Sequence, residues 1–217
     1  MKSFCLNQSV IAYEDDFLLI IDKPAGILVH PTVSESGNTL YDHVRHYYAK
    51  HKIDSGIHPV SRLDRNTSGL VIFAKEPIVQ HWLSQQQMDK EYLAVVCGIV
   101  KENAGIIEAP IARKEGSIIE RCVNRSGKYA KTAYKVLKRT DNKTLLQIKL
   151  FTGRTHQIRV HLAYIGHPLC NDNLYGTPGP QQRHALHAYK LAFTHPVSDL
   201  PVEITRMLPE DLRKIIY

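Results

Sequence analysis

The sequence predicts an α+β fold with a central mixed, largely antiparallel sheet flanked by helices and loops. Three observations point that way. Strand-like and helix-like stretches follow one another without a regular strand–helix–strand alternation. Several strand candidates are separated by turns too short for a crossover, which favours antiparallel neighbours. In the run 145–152, Leu146, Ile148 and Leu150 alternate with Gln147 and Lys149, the pattern of a strand with one wet face.

In chain order, Leu18 to Ile21 reads as a short buried strand. Lys23-Pro24-Ala25-Gly26 is a turn, and Ile27 to His30 reads as a second strand. Asn38 or Thr39 caps a helix with Leu40, Val44 and Tyr47 at i, i+4 and i+7. Leu70 to Lys75 is a buried strand. Glu76-Pro77 then opens a helix with Ile78 and Trp82 on one face. Tyr92 to Val100 is a strand run, and 131–138 with 145–152 forms a hairpin around Asp141-Asn142-Lys143. Thr155 to Ile165 reads as a helix stopped by Gly166 and Pro168, and Pro209 to Ile216 as a C-terminal helix. No repeat, low-complexity tract or linker interrupts the chain, so one domain over 1–217 is expected.

The 217 residues can bury a substantial core, and 43% hydrophobic with 23% charged content is ordinary for a globular protein. No apolar run approaches the length of a membrane span, and the start lacks the apolar segment of a secretory signal. Cys5, Cys97, Cys122 and Cys170 are scattered without a CxxC pair, which fits thiols in a reducing cytoplasm. The net charge of +7 and pI near 9.2 favour a polyanionic partner. From Arg121 to Arg139 the chain holds seven cations and no acid. That stretch is either a solvated basic face or a surface for RNA, with Arg125, Lys128 and Lys131 as candidate contacts.

The stretch HPVSRLDRNTSGLVIFAK, 58–75, places Asp64 between Arg62 and Arg65 at the mouth of a buried strand. It is either a surface turn with a local ion pair or a carboxylate kept ionised for chemistry. The second rich segment, FTGRTHQIRVHLAYIGHPL, 151–169, contains His156 and His161. Five residues turn a helix by about 500°, leaving the two rings roughly 140° apart, so they do not have the spacing of a metal pair. No glycine-rich phosphate loop or GxSxG elbow is present. An acid in a basic chain without cofactor motifs suits attack on a sugar or base of a polyanion.

Arg62-Leu63-Asp64-Arg65-Asn66-Thr67-Ser68-Gly69-Leu70, followed by Ala74-Lys75, resembles the nucleophile motif of RluA-type RNA pseudouridine synthases. Asp22-Lys23-Pro24-Ala25-Gly26 with Val29-His30-Pro31 is similar to that family's opening motif. Lys90-Glu91-Tyr92 resembles its tyrosine motif, and Gly153 to Leu162 with Gly166-His167-Pro168 its arginine motif. Leu174-Tyr175-Gly176 and Leu186-His187-Ala188 continue the match. The resemblance implies the pseudouridine synthase catalytic fold. It also implies an isomerase that breaks the N1–C1′ bond of a uridine, turns the uracil and rejoins C5 to C1′. No atom is added and no net electron moves, so neither cofactor nor metal is expected.

On this resemblance Asp64 is the nucleophile or base, with its point of attack left open among C1′, the uracil ring and a sugar proton. Arg159 pairs with Asp64, although Asp172 is an alternative partner. Tyr92 stacks on the flipped uracil, Leu186 floors the pocket and Arg62 holds the RNA open. Without the resemblance, Tyr92 is an ordinary strand aromatic and Leu186 is core. His187 reads as a core histidine either way. Two positions depart from the family pattern: Ser61 stands where His is usual, and Asn171 where Gly is usual before Asp172. Asn tolerates left-handed backbone, so that turn can survive. The opening motif begins near Asp22, so no N-terminal S4 RNA-binding domain is expected. The expected partner is ribosomal or transfer RNA, for a cytoplasmic monomer. Two other readings compete: a non-catalytic RNA-binding protein on the same fold, and a two-carboxylate glycoside hydrolase with Asp172 as the second acid.

Overall fold

The computed structural model describes residues 6–32, 37–179 and 183–217; Cys5 lies outside them. In chain order the elements are β1 (Ile11–Glu14), β2 (Leu18–Lys23), α1 (Leu40–His51), β3 (His58–Pro59), β4 (Ser68–Ala74), α2 (Pro77–Gln85), β5 (Asp89–Cys97) and β6 (Ala104–Glu108). They continue with β7 (Ile111–Arg113), β8 (Arg121–Val123), β9 (Lys131–Arg139), β10 (Lys143–Leu150), α3 (Gln157–Tyr164), β11 (Leu186–Thr194), β12 (Pro201–Thr205) and α4 (Glu210–Ile216). The chain divides into two compact units. The first is Met1–Asp89 with Lys190–Arg206, and the second is Lys90–Tyr189 with Met207–Tyr217. Each combines helices with antiparallel strand pairs, so the α+β class holds.

In the first unit β2 lies between β1 and β4, with Ile20 opposite Ile72 and Lys23 opposite Gly69. Every residue of β4 is buried, as its unbroken apolar run requires. Leu18, Ile20, Leu70 and Ile72 pack with Val79, Leu83, Leu191 and Phe193. Thr39, not Asn38, caps α1 through a reciprocal box. The Asp42 N–H donates to Thr39 Oγ1 at 3.3 Å and the Thr39 N–H to Asp42 Oδ2 at 3.0 Å.

Two expectations for this unit fail. Residues 27–30 are not a strand. The Leu28 and Val29 carbonyls instead accept from the Leu40 and Tyr41 N–H groups at 2.8 and 2.9 Å, satisfying the first turn of α1. The apolar character of the segment reflects burial of Ile27 and Val29 rather than a ladder. In α2 the buried face is Val79 and Leu83, one residue round from the expected pair; Ile78 and Trp82 are exposed.

In the second unit the strands run β5–β10–β9–β6. The expected β9–β10 hairpin forms, and Ile148 stands opposite Tyr92 on one side and Tyr134 on the other. β7 and β8 form a separate hairpin, with Ala112 opposite Cys122. The basic stretch is therefore β8, a turn at 124–127 and then β9. Leu212 and Ile216 of α4 pack on Val95, Leu145 and Cys170. Cys97, Cys122 and Cys170 are free thiols. Burial and the Cys97 contact push the Cys170 thiol up to about 12, an unreactive state.

Candidate active site

Asp64 lies in the first unit, half-buried, where the chain turns into β4. Its carbonyl accepts from the Thr67 N–H at 3.1 Å, so Asp64 opens a tight turn. The turn is fastened from the opening motif. Lys23 is fully buried at the end of β2, and its ammonium donates to the carbonyls of Pro24 (2.9 Å), Ile27 (3.0 Å) and Arg65 (3.0 Å). The Arg65 carbonyl also accepts from the Gly26 N–H at 2.8 Å, and Gly26 reaches that position with φ +96. Three ammonium protons thus meet three carbonyls, and one is on the residue after Asp64. Replacing Lys23 with Met leaves buried carbonyls without their donor and should cost about 1–3 kcal/mol. Urea unfolding measures this, and an unchanged midpoint would show that the carbonyls find other donors.

Ser61, at the position where the family usually has His, receives the Ile72 N–H on its hydroxyl at 3.4 Å. His58 is held in β3 opposite Ala74. Arg62 is exposed and has no ion-pair partner among the described residues.

Arg159, Tyr92 and Leu186 lie in the second unit. α3 begins later than the sequence suggests, because His156 takes left-handed backbone (φ 58) and turns the chain just before it. The Gln157 side chain secures that turn. Its oxygen accepts from Thr152 Oγ1 (2.8 Å) and the Arg154 N–H (2.9 Å), while its nitrogen donates to the Lys131 carbonyl and Thr132 Oγ1, both at 3.0 Å. Arg159, one turn into α3, is buried. Its Nε and Nη2 donate to the two oxygens of Asp172, each at 2.8 Å, so the alternative partner is a bidentate one. The Tyr175 ring covers the guanidinium at 4.9 Å. The Tyr175 hydroxyl accepts from the Arg121 N–H at 2.9 Å and lies 2.8 Å from His156 Nδ1. Asn171 adopts φ 59, as expected of an Asn in a glycine position, and so delivers Asp172.

Asp172 is fully buried and also accepts from the N–H groups of Leu174 (3.0 Å) and Tyr175 (3.2 Å). Burial pushes its carboxyl upward, but the hydrogen bonds and charge of Arg159, with the Leu174 N–H and the charge of His184, outweigh it. The group stays below the usual carboxylate range. Held below that range, Asp172 lacks the raised pKa of a general acid that protonates a leaving group.

Tyr92 is buried on β5 and Leu186 is buried at the start of β11. Beside Tyr92, Glu91 accepts from the Tyr189 hydroxyl at 2.7 Å and from the Gln147 amide. His161 is fully buried with its ring nitrogens 2.9 Å from Thr132 Oγ1 and the Ala109 carbonyl, so it staples α3 to its neighbours. The basic candidates separate. Arg125 and Lys128 are exposed around the 124–127 turn, whereas Lys131 pairs with Glu108 at 3.3 Å. Lys23, Gln157 and Tyr175 lie within the motifs, but nothing in the sequence shows the contacts that give them a structural part.

Comparison with known proteins identifies the family. Residues 17–164 match the family model described as RNA pseudouridylate synthase. The chain belongs to the RNA pseudouridine synthase family, whose members are isomerases. It is similar to RNA pseudouridine synthase YjbO of Bacillus subtilis, 38% identical over 95% of this chain and 75% of the relative. It is also similar to ribosomal large subunit pseudouridine synthase D of Nitrosomonas europaea, 38% identical over 95% of this chain and 64% of the relative. Among solved structures, human RNA pseudouridylate synthase domain containing 1 matches with a TM-score of 0.75 and 25% identity, covering 91% of this chain and 82% of that one.

Proposed function

We propose that this chain converts uridine to pseudouridine in ribosomal RNA, with Asp64 as the nucleophile or base on a flipped uridine. The observation that supports the site most directly is the bracing of Arg159. Asp172 holds one edge of the guanidinium and Tyr175 its face. A guanidinium carries five N–H donors in a fixed fork, and Asp172 takes two of them. In this reading the braced charge of Arg159 favours the ionised form of Asp64. Tyr92 stacks on the uracil and can move a proton after the base has turned. Leu186 lines the base pocket and Arg62 takes the place of the flipped nucleotide in the RNA. The two units work as one catalytic domain in the cytoplasm, and the active species is a monomer.

The N1–C1′ bond broken is replaced by the C5–C1′ bond formed, the C5 proton leaves to water or base, and N1 takes up a proton in its place. Atoms and electrons balance within the uridine. Purified protein should therefore form pseudouridine in transcribed large-subunit ribosomal RNA with EDTA present, as long as the RNA stays folded. Release of tritium from 5-tritiated uridine measures it. Turnover on transfer RNA alone would overturn the ribosomal assignment, and turnover on neither RNA would overturn the enzymatic one.

A further inference from the structure

We infer that a cationic cleft in the second unit, between the β7–β8 hairpin and the turn before α3, holds phosphodiester groups of the RNA backbone. The inference rests on RNA being the substrate. The cleft measures about 550 Å³, and Arg113, Arg121, Lys128 and Arg154 line it together with the hydroxyl residues Ser126 and Thr155. No Asp or Glu lines it.

Some cations of the unit are neutralised by acids, and among the described residues these four are not. Elsewhere in the unit Lys114 pairs with Glu120, Lys131 with Glu108, Arg159 with Asp172 and Arg183 with Asp211. None of the four cleft cations has a carboxylate partner among the described residues. Two are nonetheless fixed in place by neutral acceptors. Arg121 Nη1 donates to the carbonyls of Ile119 (3.1 Å) and Glu120 (3.0 Å), and Arg154 Nε donates to that of Tyr129 (2.9 Å). Carbonyls orient a guanidinium without cancelling its charge, so the cleft is positioned for an anion before one arrives.

The walls are built to keep that opening. Asn124 Oδ1 accepts from both the N–H and the hydroxyl of Ser126 at 2.9 Å, which fixes the turn carrying Ser126 and Lys128. Gly127 sits hard against β7, where an added Cβ would lie 2.4 Å from the Ile111 carbonyl carbon. On the opposite wall Gly153 is clear, with nothing within 4 Å of an added Cβ. One wall is as close as glycine allows, and the other leaves room for a ligand. Four uncompensated cations and two hydroxyls in one cleft match successive phosphodiesters better than a single carboxylate. Arg113 and Arg154 thereby join Lys128 as RNA contacts, while Arg125 and Lys131 lie outside the lining residues.

The test is RNA binding as a function of salt. Arg113→Ala removes an exposed side chain, and Gly153→Glu introduces a carboxylate into the clear side of the cleft. Lys135→Ala, an exposed lysine of β9 outside the cleft, is the control. Arg113→Ala should flatten the log–log salt slope by roughly 0.7–0.9. Gly153→Glu should weaken binding, and Lys135→Ala should leave affinity and slope unchanged. Wild-type affinity and slope in both Arg113→Ala and Gly153→Glu would overturn the cleft while pseudouridine formation by the wild type still supports the enzyme. Absence of pseudouridine formation in the wild type would instead remove the premise. Circular dichroism of each variant separates lost binding from lost fold.

Discussion

Asp64→Asn should lower single-turnover pseudouridine formation by at least roughly 10⁴-fold, because an amide can neither attack nor take a proton as a carboxylate does. The fold should survive. Asp64 is half-buried, its backbone carbonyl makes the turn, and Asn keeps the side chain's shape. The unfolding midpoint should move by about 1 kcal/mol or less. Near-wild-type turnover on transcribed RNA would end the catalytic assignment. It would leave the RNA-binding protein on the same fold as the surviving account.

Asp172→Asn should show the opposite division, a large stability cost with chemistry lost as a consequence. The substitution leaves Arg159 buried without its carboxylate, a change worth about 3–5 kcal/mol. The pH dependence identifies the cause. The folded carboxyl of Asp172 is held below its ordinary value, so its contribution is fully present above the unfolded-state pKa of about 4. It is lost as pH falls through the lower, folded value. The stability gap between wild type and Asp172→Asn should thus be constant near neutrality and close only in strong acid. Urea unfolding at several pH values measures the gap. A gap below 1 kcal/mol at pH 7 would mean that Arg159 is stabilised without the ion pair.

What the sequence made legible was whatever depended on local chemistry. Thr39 with Asp42 three residues on is a capping box in any context, and Asn171 could take the left-handed turn because its residue type allows it. The β9–β10 hairpin followed from alternation across a short turn. The face of α2 was ambiguous for a definite reason. Ile78 with Trp82 and Val79 with Leu83 are both i, i+4 apolar pairs, about 100° apart on the helix. Periodicity in nine residues cannot choose between them, and only the packing against Leu18 and Ile72 does. Likewise nothing local tells whether Ile27 to Val29 joins a ladder, since its hydrogen-bond partners lie twelve residues later. At the site, the arginine motif identified Arg159 and offered Asp172 as one partner, but the choice of partner rests on how a turn thirteen residues later folds back on α3.

The carbonyls of Leu28 and Val29 give α1 an unusual beginning. Helices ordinarily fray from their first turn, where N–H groups face water. Here the Leu40 and Tyr41 amides are anchored to the preceding segment. That segment is tied through the Ile27 carbonyl to Lys23, and Lys23 to the Arg65 carbonyl. Opening the helix start would therefore loosen the residue next to Asp64. Amide exchange at Leu40 and Tyr41 should thus be as slow as in the middle of the helix, not as fast as at a frayed end.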